Sequence, residues 1–182
     1  MKTNDQTVVF SSENPNWGTP AELFEPLARE FPVALDAAGS PGWHKTLRFL
    51  GPGSDLATDA LKADWRDFTN RHEAIFLNPP FSRALKMPIE PWLKACAEFG
   101  ADRTIVAIVP ARVDTTWWNA HIAHSAAEIR FIPHRVKFVP PPGHQKKGFS
   151  AGFPTSVVIW RPQPGIVGKP GPRVVSWTYR RA

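Results

Sequence analysis

Ala74-Ile75-Phe76-Leu77-Asn78-Pro79-Pro80-Phe81 is the stretch on which the reading of this chain turns. Its first four residues form an unbroken apolar run, the pattern of a strand buried on both faces. The two prolines stop that strand, because each fixes its own φ and removes a backbone donor, and the turn they make is stiff. What the turn offers is a set of acceptors: the Asn78 side-chain oxygen and the prolyl carbonyls. An exocyclic amino group can donate both of its hydrogens there, and Phe81 provides a flat face for a planar heterocycle. A rigid turn with no chemistry would read the same in a chain with 20 prolines, so the surroundings decide.

Upstream, Trp17-Gly18-Thr19-Pro20-Ala21-Glu22 has the marks of a helix start, with Thr19 as N-cap, Pro20 at the first helical position and Glu22 completing a capping box. Leu23, Phe24, Leu27, Ala28 and Phe31 then line one face, and Pro26 is a misfit within it. Val33-Ala34-Leu35-Asp36 reads as a strand ending on an acid, followed by a Gly- and Pro-containing loop over 37–43, the place where α/β sheets hold ligands. Downstream, the spacing predicts a helix near 90–99, a strand over 104–109, a helix beginning near Thr115, and strands at 128–132, 135–139 and 156–160. This alternation predicts an α/β fold with a mainly parallel, doubly wound sheet. Residues 1–160 are expected to form one domain with an embedded loop over 140–154. Residues 161–182 follow as a basic, Pro/Gly-rich tail that either adds a strand or stays apart.

With 182 residues and 42% hydrophobic content, the chain suits one substantial core. No run approaches the ~20 apolar residues of a membrane span, and the polar start lacks a signal-peptide core, so a cytoplasmic protein with no membrane partner is expected. The single cysteine, Cys96, excludes an intramolecular disulfide and cysteine clusters; sharing a helical face with Trp92 and Phe99, it reads as a core thiol. His121 and His124 stand three apart without a recognisable carboxylate pattern, so no metal is expected. The net charge is +6, and residues 161–182 hold five of the 22 Lys and Arg and none of the 16 acids, leaving 17 against 16 before them. A second basic group comprises Arg130, His134, Arg135, Lys137, His144, Lys146 and Lys147. Such concentration suits a polyanion.

The chain resembles the phage-type Dam family of DNA N6-adenine methyltransferases over roughly residues 17–160. The resemblance is carried by Trp17-x-Thr19-Pro20 with Phe24, by Leu35-Asp36, by Asp59-x-Leu61 leading to Asp64-Trp65, and by Phe76 to Phe81. It continues through Val109-Pro110-Ala111-Arg112-x-Asp114-Thr115-x-Trp117-Trp118, Phe131-Ile132-x-x-Arg135-x-x-Phe138 and Phe153-Pro154. It implies a Rossmann-like, S-adenosyl-L-methionine-dependent methyltransferase fold of seven strands with an antiparallel final strand. The implied cofactor is S-adenosyl-L-methionine, and the implied partner is double-stranded DNA in the cytoplasm of a phage host. Asn78, Pro79, Pro80 and Phe81 are the implied catalytic residues. Trp17, Thr19 and Pro20 resemble the motif that meets the methionine carboxylate, in keeping with a helix N-terminus as an anion site. Asp36 looks like the acid for the ammonium, Asp64 like the acid for the adenine with Trp65 beside the ring, and Asp59 like a partner of the ribose hydroxyls. The glycines of 36–42 depart from the usual alternate spacing.

The chemistry expected is direct methyl transfer to adenine N6, with the amine donating to Asn78 and the Pro79 carbonyl. A paired adenine must first be turned out of the duplex. Phe81 is then the stacking surface, Trp118 the aromatic that fills the opening, with Trp117 packed inside, and the 140–154 loop the recognition element. Arg112, Arg135, Lys146 and Lys147 are the candidate DNA contacts. Rival readings are methylation of cytosine N4, an RNA adenine or a protein glutamine, and a silent nucleic-acid-binding domain; NPPF rather than SPPY favours adenine by resemblance.

Overall fold

Side-chain alternation along the central strands produces a sheet covered on both faces. In the computed structural model, which describes residues 17–82, 86–140, 150–162 and 171–179, the strands are β1 (Val33–Asp36), β2 (Arg48–Phe49), β3 (Ala74–Leu77), β4 (Thr104–Pro110), β5 (Glu128–Phe131), β6 (Thr155–Trp160) and β7 (Arg173–Ser176). They form one sheet in the order β2-β1-β3-β4-β6-β5-β7. Ala74, Phe76, Val106, Ile108, Val157 and Ile159 point to one face and pack with Leu23, Leu27 and Phe31 of α1 (Ala21–Glu30) and its end. Ile75, Leu77, Ile105, Ala107, Val109, Val158 and Trp160 point to the other, where Leu93, Cys96 and Phe99 of α2 (Glu90–Phe99) meet them. Cys96 is fully enclosed, and burial pushes its thiol pKa up.

The fold is a mixed α/β, Rossmann-like architecture whose seven-stranded sheet is mostly parallel. Strand β6 runs antiparallel to both β4 and β5, and β7 follows it in sequence, pairing parallel with β5. Residues 173–176 thus extend the sheet.

Two local expectations, a side-chain cap on α1 and a strand over 135–139, are corrected. The N-cap of α1 is Pro20, in extended conformation, and no side chain caps the helix, so neither Thr19 nor Glu22 serves that role. Pro26 is accommodated within a continuous helix. Residues 135–139 are not a strand; they make two single bridges, Gly18 with Val139 and Lys137 with Ser150. Pro133 and Pro140 flank them, and proline supplies no ladder donor. The helix expected near Thr115 is a single turn, α3 (Thr116–Trp118), widening into a π-type turn at Asn119–Ala123. No helix among the described residues is long and apolar enough to cross a membrane.

Candidate active site

From β1 the chain steps outward to β2 and then returns to β3 on the other side of β1. That reversal opens a crevice beyond the carboxyl ends of the two strands, the position where open α/β sheets bind ligands. The register sets Asp36 opposite Phe76, so Asp36 and Asn78 leave the sheet at the same edge. A cleft of about 410 Å³, including its part open to solvent, lies there. Trp17, Thr19, Asp36, Trp43, Lys45 and Asn78 are among its walls.

Asn78 stands just beyond β3, and its side-chain Nδ2 donates to the backbone carbonyl of Trp17 at 2.8 Å. A carbonyl can only accept, so the amide orientation is settled: Nδ2 faces Trp17 and Oδ1 is left as an acceptor. Phe81, three residues on, is partly buried, and its ring centroid lies 5.7 Å from that of Phe153. The Arg112 guanidinium lies over Phe153 at 5.8 Å.

Asp36 carries the strongest electrostatic signature of the cleft. Its carboxylate is buried and accepts from the backbone N–H groups of Ala38 (3.1 Å) and Lys45 (2.9 Å). Desolvation dominates those hydrogen bonds and raises its pKa from 3.8 to about 6. Lys45 shows the mirror effect: burial lowers its pKa and the nearby Asp36 charge opposes that. Thr19 is 2% exposed, and its Oγ1 has no hydrogen-bond partner among the described residues. A buried hydroxyl left unpaired costs free energy, so an orphan lining a cleft marks a place where a polar ligand group improves matters.

A family model described as DNA N-6-adenine-methyltransferase (Dam) matches residues 6–176. The chain belongs to the Dam family. Adenine N6 methylation of DNA is the activity that this membership supports. No curated protein matches the chain closely enough to count as a relative.

In this chain the cleft brings together Trp17, Thr19, Asp36, Asn78 and Pro80 of the residues singled out in the sequence. Pro79 is buried beside them in the chain, and Pro20 caps α1. The later acids fall elsewhere. Asp59 and Asp64 each cap a short 3-10 helix, accepting from Leu61 and Arg66 N–H groups, and pair with Lys62 at 3.0 Å and Arg66 at 2.7 Å. Those partners hold both carboxyls below the usual range. Trp65 is wholly enclosed in the core, its indole N–H donating to Ala60 O at 2.8 Å, with no face open to a ligand.

The basic residues divide similarly. Arg135 is exposed and Arg112 partly so, whereas Arg130 is 5% exposed and belongs to the interior. It pairs with Glu30 at 2.5 Å and Glu128 at 2.8 Å, with Arg173 and Arg161 also reaching Glu128. Arg130 is therefore a structural cation, a correction to its place in the basic group. Lys146 and Lys147 lie outside the described residues, as does most of the 140–154 loop. Trp118 is 4% exposed and stacked on Phe131, so it is the packed member of the tryptophan pair and Trp117 the more exposed one, the reverse of expectation.

The sequence reading gave Trp43 and Lys45, both in the wall of the cleft, no role in the site. Pro41-Gly42 signals a turn ahead of Trp43, and an isolated lysine gives no signal that the fold will carry it to a cleft.

Proposed function

We propose that this protein transfers the methyl group of S-adenosyl-L-methionine to N6 of an adenine turned out of double-stranded DNA. The observation that carries the reading is the Asn78 amide, locked by the Trp17 carbonyl with Oδ1 left to accept, next to a cleft with a buried carboxylate. The cofactor's amino-acid end carries an ammonium and a carboxylate, and the cleft holds one carboxylate (Asp36), one ammonium (Lys45) and the unpartnered Thr19 hydroxyl. That donor set fits. Bound there, S-adenosyl-L-methionine would supply a methyl group activated by a sulfonium, its S–CH3 bond breaking as the amine takes the methyl and the neutral thioether S-adenosylhomocysteine being released.

The protein's own part is to position and to stabilise charge. Free adenine's amine is a poor nucleophile because its lone pair is delocalised into the ring. With one N–H donating to Asn78 Oδ1 and the other to the Pro79 carbonyl, the nitrogen is drawn towards tetrahedral geometry, and the positive charge it gains on forming the N–C bond is stabilised. Holding the amine at contact distance supplies much of the remaining acceleration. A proton leaves the nitrogen afterwards to water. Phe81 takes over the stacking that the adenine loses on leaving the duplex, and Arg112 and Arg135 contact phosphates.

The assignment of Asp64 and Trp65 to the cofactor's adenine draws no support from their present positions, in a 3-10 cap and in the core. The trio of Trp43, Lys45 and Asp36 at the cleft is the better starting point for mapping cofactor contacts. The deciding experiment is nucleoside mass spectrometry of unmethylated DNA incubated with S-adenosyl-L-methionine and either wild-type protein or Asn78→Ala. N6-methyladenine from the wild type alone is the expected result; a methylated cytosine, or no methylated base while DNA binding persists, overturns the reading.

A further inference from the structure

We propose that Gly18 is a positioning residue for the reaction: its missing side chain lets Trp43 rest on the backbone and so keeps the Trp17 carbonyl aimed at the Asn78 amide. The proposal rests on the assignment of Asn78 as the acceptor of the target amine.

The argument begins with one peptide plane. The carbonyl of Trp17 and the N–H of Gly18 belong to the same planar unit and point in opposite directions. The carbonyl accepts from Asn78 Nδ2 at 2.8 Å, and the N–H donates to Val139 O at 2.9 Å. Val139 N–H returns a bond to Gly18 O at 2.8 Å. Rotating this plane therefore weakens the grip on Asn78 and on Val139 together.

Trp43 packs against Gly18 as well. Ser40-Pro41-Gly42-Trp43 is a tight turn in which Trp43 N–H donates to Ser40 O at 2.8 Å and Gly42 has φ +78°. Proline at the second position and a positive φ at the third are the requirements of a type II turn, so the residue types fix where Trp43 stands. Its ring lies on Gly18: a Cβ there would meet Trp43 Cε3 at 2.6 Å and Cζ3 at 2.7 Å, and Val139 Cβ at 3.4 Å. Even a methyl group has no room. It must either displace the indole or rotate the peptide plane that holds Asn78.

The test is a double-mutant cycle of Gly18→Ala and Trp43→Leu, read by single-turnover methylation, thermal melting and the Asn78 side-chain amide resonance in a 15N–1H spectrum. Gly18→Ala alone is expected to lower the transfer rate about 10- to 100-fold, the scale set by sub-ångström misplacement of reacting groups. In the Trp43→Leu background, where the clash is relieved, the same change is expected to cost less than about threefold. Losses that simply multiply, or a lowered Tm with an undiminished rate, overturn the proposal. Should Gly18→Ala alone fail to fold, the doubly substituted protein decides: transfer at the rate of Trp43→Leu upholds the proposal, and a further loss refutes it. If the wild type methylates nothing, the functional reading has failed separately. The geometric claim is then judged by the Asn78 resonance, which Gly18→Ala must shift.

Discussion

Asn78 and Trp17 stand 61 positions apart, and the side-chain N–H of one meets the backbone carbonyl of the other at 2.8 Å. That contact makes an amide, not merely a polar group, the requirement at position 78. A carboxylate there would place an acceptor against an acceptor. Asn78→Asp is therefore expected to lose transfer activity by about 10-fold or more near neutral pH, and to recover part of it as pH falls and a carboxyl proton can bridge to Trp17. A pH–rate profile for the variant against wild type, with melting curves to verify folding, checks this; equal activity at pH 8 would show that the Trp17 contact is dispensable.

Asp36 predicts a pH response of both stability and cofactor binding. Its folded-state pKa is raised from 3.8 to about 6 by burial, so the fold favours the protonated form. That stabilisation is complete below about pH 4 and disappears as pH rises through about 6, a change on the order of 2–3 kcal/mol. Across that window the stability difference should move in favour of Asp36→Asn over wild type. Cofactor affinity should move the opposite way, because an ammonium needs the charged carboxylate: the wild type should bind S-adenosylhomocysteine more tightly as pH climbs from 5 to 7. Calorimetric titration is the check, and an affinity that is flat with pH in the wild type would remove Asp36 from the ammonium site.

Two arginines of the same basic stretch should behave differently. The Arg130 side chain is 6% exposed, lies over the rings of Phe31 and Trp177, and neutralises Glu30 and Glu128. Removing it leaves the nearly buried Glu128 with only the longer contacts to Arg173 (3.4 Å) and Arg161 (3.9 Å) and takes the partner from Glu30, so Arg130→Ala is expected to cost roughly 3 kcal/mol, which lowers Tm by about 10 °C. The salt dependence of DNA binding should be unaffected. Exposed Arg135 should give the converse result, with Arg135→Ala reducing the slope of log affinity against log salt by about one and leaving Tm in place.

The tryptophan pair offers a comparison within one helical turn. Trp118 stacks on Phe131 with ring planes 12° apart and is nearly buried, so Trp118→Ala should cost about 3–5 kcal/mol through the cavity it leaves. Trp117, with more of its surface outside, should tolerate alanine with a loss of about 1 kcal/mol or less. Chemical denaturation of the two variants distinguishes them, and equal losses would contradict the packing described.

Much of the sheet was legible because β3, β4 and β6 are apolar runs bounded by turn residues, a signal independent of distant contacts. The cleft was legible in part: Asp36 and Asn78 end strands, and strand ends are where such sheets bind. Thr19 was misread as a cap because Thr-Pro suits a helix start locally, while its true setting, a buried hydroxyl facing the cleft, depends on β1 and β3 arriving beside it. Asp64-Trp65 illustrates the opposite difficulty. An acid before a tryptophan looks alike whether it binds a ligand or caps a 3-10 turn over a core residue, and only the bond from the Trp65 indole to Ala60 tells them apart. Residues 135–139 alternate like a strand, but flanking prolines withhold the donors that a ladder needs.

Cys96 turns the core into a clock. The chain has one thiol, it is wholly enclosed, and burial keeps it protonated and unreactive. A thiol-labelling reagent can therefore reach it only when α2 leaves the sheet, and the rate of modification counts those openings one molecule at a time. Ligands that bind across β1 and β3 would be felt at this remote sulfur as a slower tick, with no probe added to the protein.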